Sequence, residues 1–234
     1  MMFDGQLCRK PDFRRVYEQA NEILVCTAVI DDFPFPAKRL IKEQTDIALR
    51  TFDKACFYDV DIRQFGSESA VLTEKQGAYI IFYNQTEPNY RIRFSMMHEL
   101  GHYLLGHEMN LSINDPLYGV QETEANCFAA QVLMPEQLLR ECSKRGVTVS
   151  EEFIRDAFGV SADAARIRKQ TLAKTNYEWR SREETMFDDI ILSRFAAHLD
   201  SIASKTGLYS YSLEEDDERE RERSEWLYTR SRWS

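Results

Sequence analysis

Positions at helical spacing open the chain. Phe13, Val16, Tyr17, Ala20, Ile23, Leu24 and Thr27 fall on one face of a helix predicted over residues 12–30. Asp31-Asp32-Phe33-Pro34-Phe35-Pro36 breaks the pattern, because two prolines disfavour helix there. A second helix is predicted over 37–50, with Leu40, Ile41, Gln44, Ile47 and Ala48 inward. Residues 55–62 read as a strand with imperfect alternation, and 70–72 as a short strand. Residues 77–84, rich in β-branched and aromatic side chains, give the clearest strand. After a turn over 84–89 come a helix over 90–105, a loop over 109–120 and a helix over 121–133. The last of these turns Ala125, Phe128, Ala129, Val132 and Leu133 inward and is ended by Pro135. A short helix is expected over 137–144. The stretch 151–168 has the pattern of a helix-turn-helix, with Gly159 for the turn and Ser161 as the next N-cap. Phe187, Ile190, Ile191, Phe195, Leu199 and Ile202 suggest one more amphipathic helix. The mixed-charge run 214–225 cannot bury a face and reads as a solvated helix or a disordered tail. Trp226, Leu227, Tyr228 and Trp233 follow it. No internal repeat is visible.

Candidate chemistry lies in the helix over 90–105. His98-Glu99-Leu100-Gly101-His102 reads H-E-x-x-H. Two imidazoles four apart share a helix face and can hold one Zn²⁺, while the glutamate between them can act on water. Gly101 inside this helix costs roughly 1 kcal/mol against Ala, which implies a packing or site reason. Catalytic zinc takes three protein ligands. Glu122 can supply a carboxylate, and Asn126, four residues on, can orient a ligand histidine. Glu124 points about 200° away from Glu122 and reads as a solvated charge. His107, beyond the helix-ending Gly106, reads as an exposed or capping histidine. Tyr118 reads as a loop tyrosine that could alternatively reach over the site.

The run Arg93-Phe94-Ser95-Met96-Met97-His98-Glu99-Leu100-Gly101-His102, then Glu122-x-x-Ala125-Asn126-x-Phe128-Ala129-Ala130, then Leu133-Met134-Pro135, resembles the ImmA/IrrE family of zinc metallopeptidases over roughly residues 35–172. The resemblance implies zinc ligands at His98, His102 and Glu122 and a catalytic glutamate at Glu99. It also implies an α+β, zincin-like fold with a small sheet packed on helices and additional C-terminal helices. Characterised relatives cleave helix-turn-helix transcriptional repressors, often encoded beside them on mobile elements or in stress regulons, and a partner of that kind is what the resemblance implies here. The strand over 79–83 is the candidate edge for an extended substrate.

Composition narrows the setting. The 234 residues carry a net charge of −9, which disfavours a nucleic-acid backbone as partner. Arg166, Arg168, Lys169, Lys174, Arg180 and Arg182 nevertheless keep a DNA-binding alternative open for residues 151–182. A non-proteolytic regulatory protein on the same scaffold is the other alternative. Cys8, Cys26, Cys56, Cys127 and Cys142 are scattered and odd in number, and read as reduced thiols. Phe3-Asp4-Gly5-Gln6 opens polar and no apolar run reaches 18 residues. No secretion signal or membrane span is therefore read, and a cytoplasmic location is expected. Three regions are expected: a helical leader over 1–34, the metallopeptidase domain over 35–182, and a helical, charged extension over 183–234. The sequence leaves the oligomeric state open.

Overall fold

The computed structural model describes residues 10–65, 69–109, 111–175 and 180–205. The charged run 214–225 and the aromatics after it lie outside these residues. In chain order come helices α1 (Phe13–Cys26) and α2 (Ala37–Gln44), strand β1 (Ala48–Thr51) and two 3₁₀ segments (Phe52–Tyr58 and Ile62–Phe65). Strands β2 (Ala70–Lys75) and β3 (Ala78–Tyr83) follow. Then come helices α3 (Asn89–Leu104), α4 (Pro116–Leu133), α5 (Glu136–Lys144), α6 (Glu151–Phe158), α7 (Ala162–Lys174), α8 (Arg182–Arg194) and α9 (Ala196–Lys205). The architecture is α+β: a three-stranded sheet of order β1-β3-β2 packed on helices.

β1 runs parallel to β3, with Ala48 opposite Ile80, and β2 runs antiparallel to it, with Leu72 opposite Ile81. β3 is therefore the central strand, with both edges paired. That corrects the expectation that residues 79–83 offer an edge to substrate: the outer strands of the sheet are β1 and β2. Gln76 and Gly77, both at positive φ (53° and 78°), close the tight β2–β3 turn.

Four other expected elements differ from those observed, each for a local reason. The helix expected over 37–50 stops at Gln44. Thr45 is extended, and its hydroxyl donates to the Ile41 carbonyl at 2.8 Å, which frees residues 48–51 to pair with β3. The strand expected over 55–62 is mostly 3₁₀ helix. Its apolar period is three rather than two, so Phe52, Ala55 and Tyr58 share one face and pack with Ile80 and Phe82. The loop expected over 109–120 becomes helix from Pro116, because the Asp115 side chain accepts from Leu117 N at 2.8 Å and proline suits the first helical position. The single helix expected over 187–202 is two, parted at Phe195.

One buried apolar cluster runs from Val16 of α1 through Met96, Met97, Phe128 and Val132 to Phe158, Phe195 and Leu199. Buried polar groups tie its parts together. Arg93 of α3 donates to the carbonyls of Phe35 (3.2 Å), Phe158 (3.1 Å) and Gly159 (2.6 Å). Gly159 ends α6 in the left-handed region at φ +59°, and a Cβ there would meet Arg93 Nη1 at 2.8 Å.

The most extensive helix pairing is α3 against α4. Gly101 is where the two meet: a Cβ there would lie 3.0 Å from Phe128 Cδ1 and 3.2 Å from its Cβ. This close approach is the packing reason the sequence implied. Gly101→Ala should therefore destabilise the chain by about 1–3 kcal/mol through overpacking, in spite of alanine's better helix propensity. Urea unfolding of the two proteins reads this out, and equal or greater stability in the variant would refute it.

Candidate metal centre

The α3–α4 packing sets three donors opposite one another. His98 and His102 sit one turn apart on α3, and Glu122 faces them from α4. Their Nε2 atoms are 3.0 Å apart. Glu122 Oε2 lies 3.4 Å from His98 Nε2, and Glu122 Oε1 lies 3.3 Å from His102 Nε2. These three residues form the group able to hold a metal ion among the described residues. A tetrahedral ion with bonds of about 2.0–2.1 Å spaces its donors roughly 3.3 Å apart, so the set fits with little adjustment.

The chemistry of the set agrees. His98 Nδ1 lies 3.0 Å from Asn126 Oδ1 and donates to it, which leaves His98 Nε2 with its lone pair toward Glu122. Asn126 and Glu122 share a face of α4, as their four-residue spacing implies. Burial pushes the His98 imidazole down, but Glu122, Glu99 and Asn126 together outweigh it and the net shift is upward. Burial likewise pushes Glu122 up, yet His102 and His98 hold its carboxyl far below the usual carboxylate range. Lone pairs and an ionised carboxylate converging on one point call for a cation.

Glu99 is treated differently. One residue along from His98, it turns off the donor face toward the sheet, where its Oε2 accepts from Leu72 N at 2.9 Å. Burial pushes this carboxyl up, against the partial opposition of His98 and His102. Leu72 lies on β2, so the free edge of the sheet runs beside Glu99. Tyr118 stands one turn before Glu122 on α4. Its phenol is raised by burial and then by the charges of Glu122 and Glu99, which places it near both.

Two residues depart from their sequence reading. His107 is neither exposed nor a mere cap, and Glu124 is not a solvated charge: their side chains are 4% and 9% exposed. His107 Nδ1 lies 3.0 Å from His102 Nδ1, and its Nε2 lies 2.9 Å from Glu124 Oε2. The signal that could have found His107 is Gly106. At φ +60° it closes α3 with paired bonds, Gly106 N to Tyr103 O (3.1 Å) and His107 N to His102 O (3.0 Å). In that closure the residue after the glycine packs back on the last turn, here with the ring centroids of His102 and His107 4.9 Å apart. Burial, and then His102, push the His107 imidazole down to about 4, so it is neutral near pH 7. Glu124 does point away from Glu122 around α4, but α1 covers that side.

The basic stretch expected to suit DNA is partly turned inward. Arg168 is buried and donates to Met134 O (2.9 Å), Tyr17 Oη (3.2 Å) and Gln131 Oε1. Arg180 donates to Glu136 Oε1 at 2.8 Å and to Asp188. Cys26, Cys56, Cys127 and Cys142 are free thiols. No helix of the described residues is long and apolar enough to cross a membrane.

A His-His-Glu set able to hold a metal ion, beside a buried glutamate on an α+β fold with an open sheet edge, is the arrangement of a metallopeptidase-like domain. The comparison with known families agrees: residues 57–169 match the peptidase family described as the IrrE N-terminal-like domain. The family resemblance read from the motifs is thus borne out over that segment. A search of curated proteins gave no match.

Glu122→Ala should weaken metal binding by more than about 100-fold, beyond the loss usual when only a residue behind a ligand is changed. Competition with a chromophoric chelator measures it. Unchanged affinity would remove Glu122 from the ligand set.

Proposed function

We propose that the chain is a zinc-dependent endopeptidase of narrow specificity that acts in the cytoplasm on a helix-turn-helix transcriptional repressor. One observation carries the reading: His98 Nε2, His102 Nε2 and the Glu122 carboxylate converge beside Glu99 at an open strand edge. Three nitrogen and oxygen donors without a thiolate are the kind of set that leaves zinc a position for reaction. When bound, zinc would supply Lewis acidity, polarising a scissile carbonyl and acidifying water. Glu99 is the general base: it accepts the proton of the attacking water and passes it to the leaving amine. Its raised pKa suits a group that must both take and give a proton. Leu72 N–H anchors one of its oxygens and aims the other.

The outer edge of β2 would take the substrate in extended form by strand addition, which brings the peptide past Glu99. Tyr118 offers an O–H on the α4 side of the same site. Strand addition alone is tolerant of sequence, so narrow specificity needs a second contact surface. The repressor as substrate rests on the family resemblance, in which the peptidase relatives act on such proteins.

Glu99→Gln removes the base without removing a ligand. The variant should keep its zinc and lose about 10²–10⁴-fold in cleavage rate. Both proteins are incubated with helix-turn-helix repressors from the same genome and with casein, and fragments are read by mass spectrometry. The expectation is one cut in the repressor and little loss of casein. Full-rate cleavage by Glu99→Gln would remove Glu99 from the mechanism, and rapid casein breakdown would sink the specificity claim. Tight repressor binding without any cut would favour the non-proteolytic regulator.

A further inference from the structure

A cavity of about 380 Å³ lies where the loop before α2 meets the first half of α3. Pro34, Phe35, Ile92 and Met96 give it apolar walls, and Lys38, Asn89 and Arg93 bring polar groups to it. None of the described residues that line it is acidic. Both helices begin at this cavity, each after a proline, Pro36 and Pro88, and neither start has a side-chain cap. Their backbone bonding starts at Arg39 N and Arg91 N, which donate to the two proline carbonyls at 2.9 and 3.0 Å. The N–H groups of Ala37, Lys38, Asn89 and Tyr90 thus stand ahead of the hydrogen-bonded ladder. Partial positive charge gathers at such an end and favours an anion. Arg93 adds a full charge. It is 6% exposed; its Nε and Nη1 donate to backbone carbonyls, while Nη2 is buried with no hydrogen-bond partner among the described residues. Burial pulls its pKa down to about 10 and no carboxylate holds it up, so it stays charged near pH 7. The Phe35 ring, its centroid 5.4 Å from Arg93 Cζ, offsets part of that cost. A buried cation without a counter-ion is otherwise unfavourable. On a guanidinium the Nε–H and one N–H of Nη2 point side by side. Arg93 Nε donates to the carbonyl of Phe35, a residue of the cavity wall, so the open Nη2 donor points to that same side.

We propose that this cavity binds a small organic monocarboxylate with a compact apolar body, which takes Arg93 as counter-ion and accepts from the N–H groups at the starts of α2 and α3. One buried guanidinium calls for one negative charge. Lys38 stands at the rim with its ammonium already 3.1 Å from Tyr83 Oη and 4.4 Å from that ring's centroid, so it does not add a second buried cation. The apolar walls suit a hydrocarbon body and not a second charged group. The volume is near the small end of ligand sites, which sets the body at the size of one aromatic ring or a short alkyl chain. The inference does not rest on the metallopeptidase reading, because none of His98, His102 and Glu122 lines the cavity.

The test titrates the full chain, with and without zinc, with phenylacetate, octanoate, phenylacetamide and inorganic phosphate. Affinity is read by calorimetry and the place of binding by backbone amide NMR shifts. Two variants accompany the wild type. Arg93→Met removes the charge but also three backbone contacts, so thermal melting checks that it folds. Asn89→Asp keeps the test decisive if it does not: an acid in the first turn favours the helix, yet sets a negative charge where the carboxylate would sit. Both carboxylates should bind at one site, equally with and without zinc, and move the amide signals of Ala37, Lys38, Asn89 and Tyr90. Phenylacetamide should bind at least about 10-fold more weakly than phenylacetate, and Asn89→Asp and a folded Arg93→Met should each weaken phenylacetate by a similar factor. No saturable binding of either carboxylate at millimolar concentration would overturn the proposal. So would phenylacetamide binding as well as phenylacetate, which would leave an apolar cavity without anion recognition. Binding that requires zinc would move the carboxylate to the metal centre, and phosphate binding where the carboxylates fail would assign the site to an inorganic anion. Unchanged affinity in Asn89→Asp would place the ligand elsewhere.

Discussion

The separation of α3 and α4 is the constraint on which the site depends. Two of the candidate ligands are on one helix and the third is on the other, so the donor set exists only if the axes come close enough for a single ion to bridge them. The absence of a side chain at Gly101 allows that approach, with Phe128 filling the space where a Cβ would stand. Helix axes pack 8–10 Å apart depending on the side chains between them. A bulkier residue would shift α4 by an amount comparable with the tolerance of a metal–ligand bond. The helix-weakening glycine of the H-E-x-x-H segment is thus tied to the same geometry as its histidines.

The remainder of the fold holds those two helices in register. Arg93, in the first half of α3, spends its donors on backbone carbonyls from the loop before α2 and from the end of α6. Arg168 of α7 reaches back to Met134, where α4 ends, and to Gln131 within it. These buried cations satisfy carbonyls that helix ends leave without partners. They also explain why the chain after α5 is folded onto the domain. The buried apolar cluster takes in side chains from α1 to α9, so α1 and α8 share one core with the helices that carry the candidate ligands.

What the sequence made legible follows from the range of the interactions involved. The helices with a clean period of 3.6, α1, α3 and the core of α4, were readable because one face of each meets the same core throughout. The small sheet was half readable. β3 is apolar on both faces and stands out, whereas β1 is four residues long and owes its state to pairing with β3 across about thirty residues of chain. The 3₁₀ segment at Phe52–Tyr58 was mistaken because a period of three, sampled over seven residues, resembles a faulty alternation. At the site, residues linked by helical spacing were legible: His98 with His102, and Glu122 with Asn126. His107 and Glu124 were not, because their burial depends on α1 lying across them. The left-handed turn at Gly106 was the one local clue, and it speaks of His107 alone.

Two glutamates within one site are pushed in opposite directions, and local geometry separates them. Glu122 has both imidazoles before it and is held ionised, as a ligand must be. Glu99 is buried, and that raises its proton affinity against the smaller opposing pull of His98, His102 and the Leu72 N–H, as suits a base. Neighbouring residues on a helix differ by about 100° in direction. Glu99 therefore cannot share the face of His98 and must look elsewhere, and what it finds is the edge strand. In the proposed reaction the same strand would hold the base and receive the peptide. Substrate position and base position would then be set by one rigid element, with Leu72 N–H fixing the carboxylate. On that proposal a three-stranded sheet would suffice: the chemistry would need one well-placed edge, and β1 and β3 would hold β2 still.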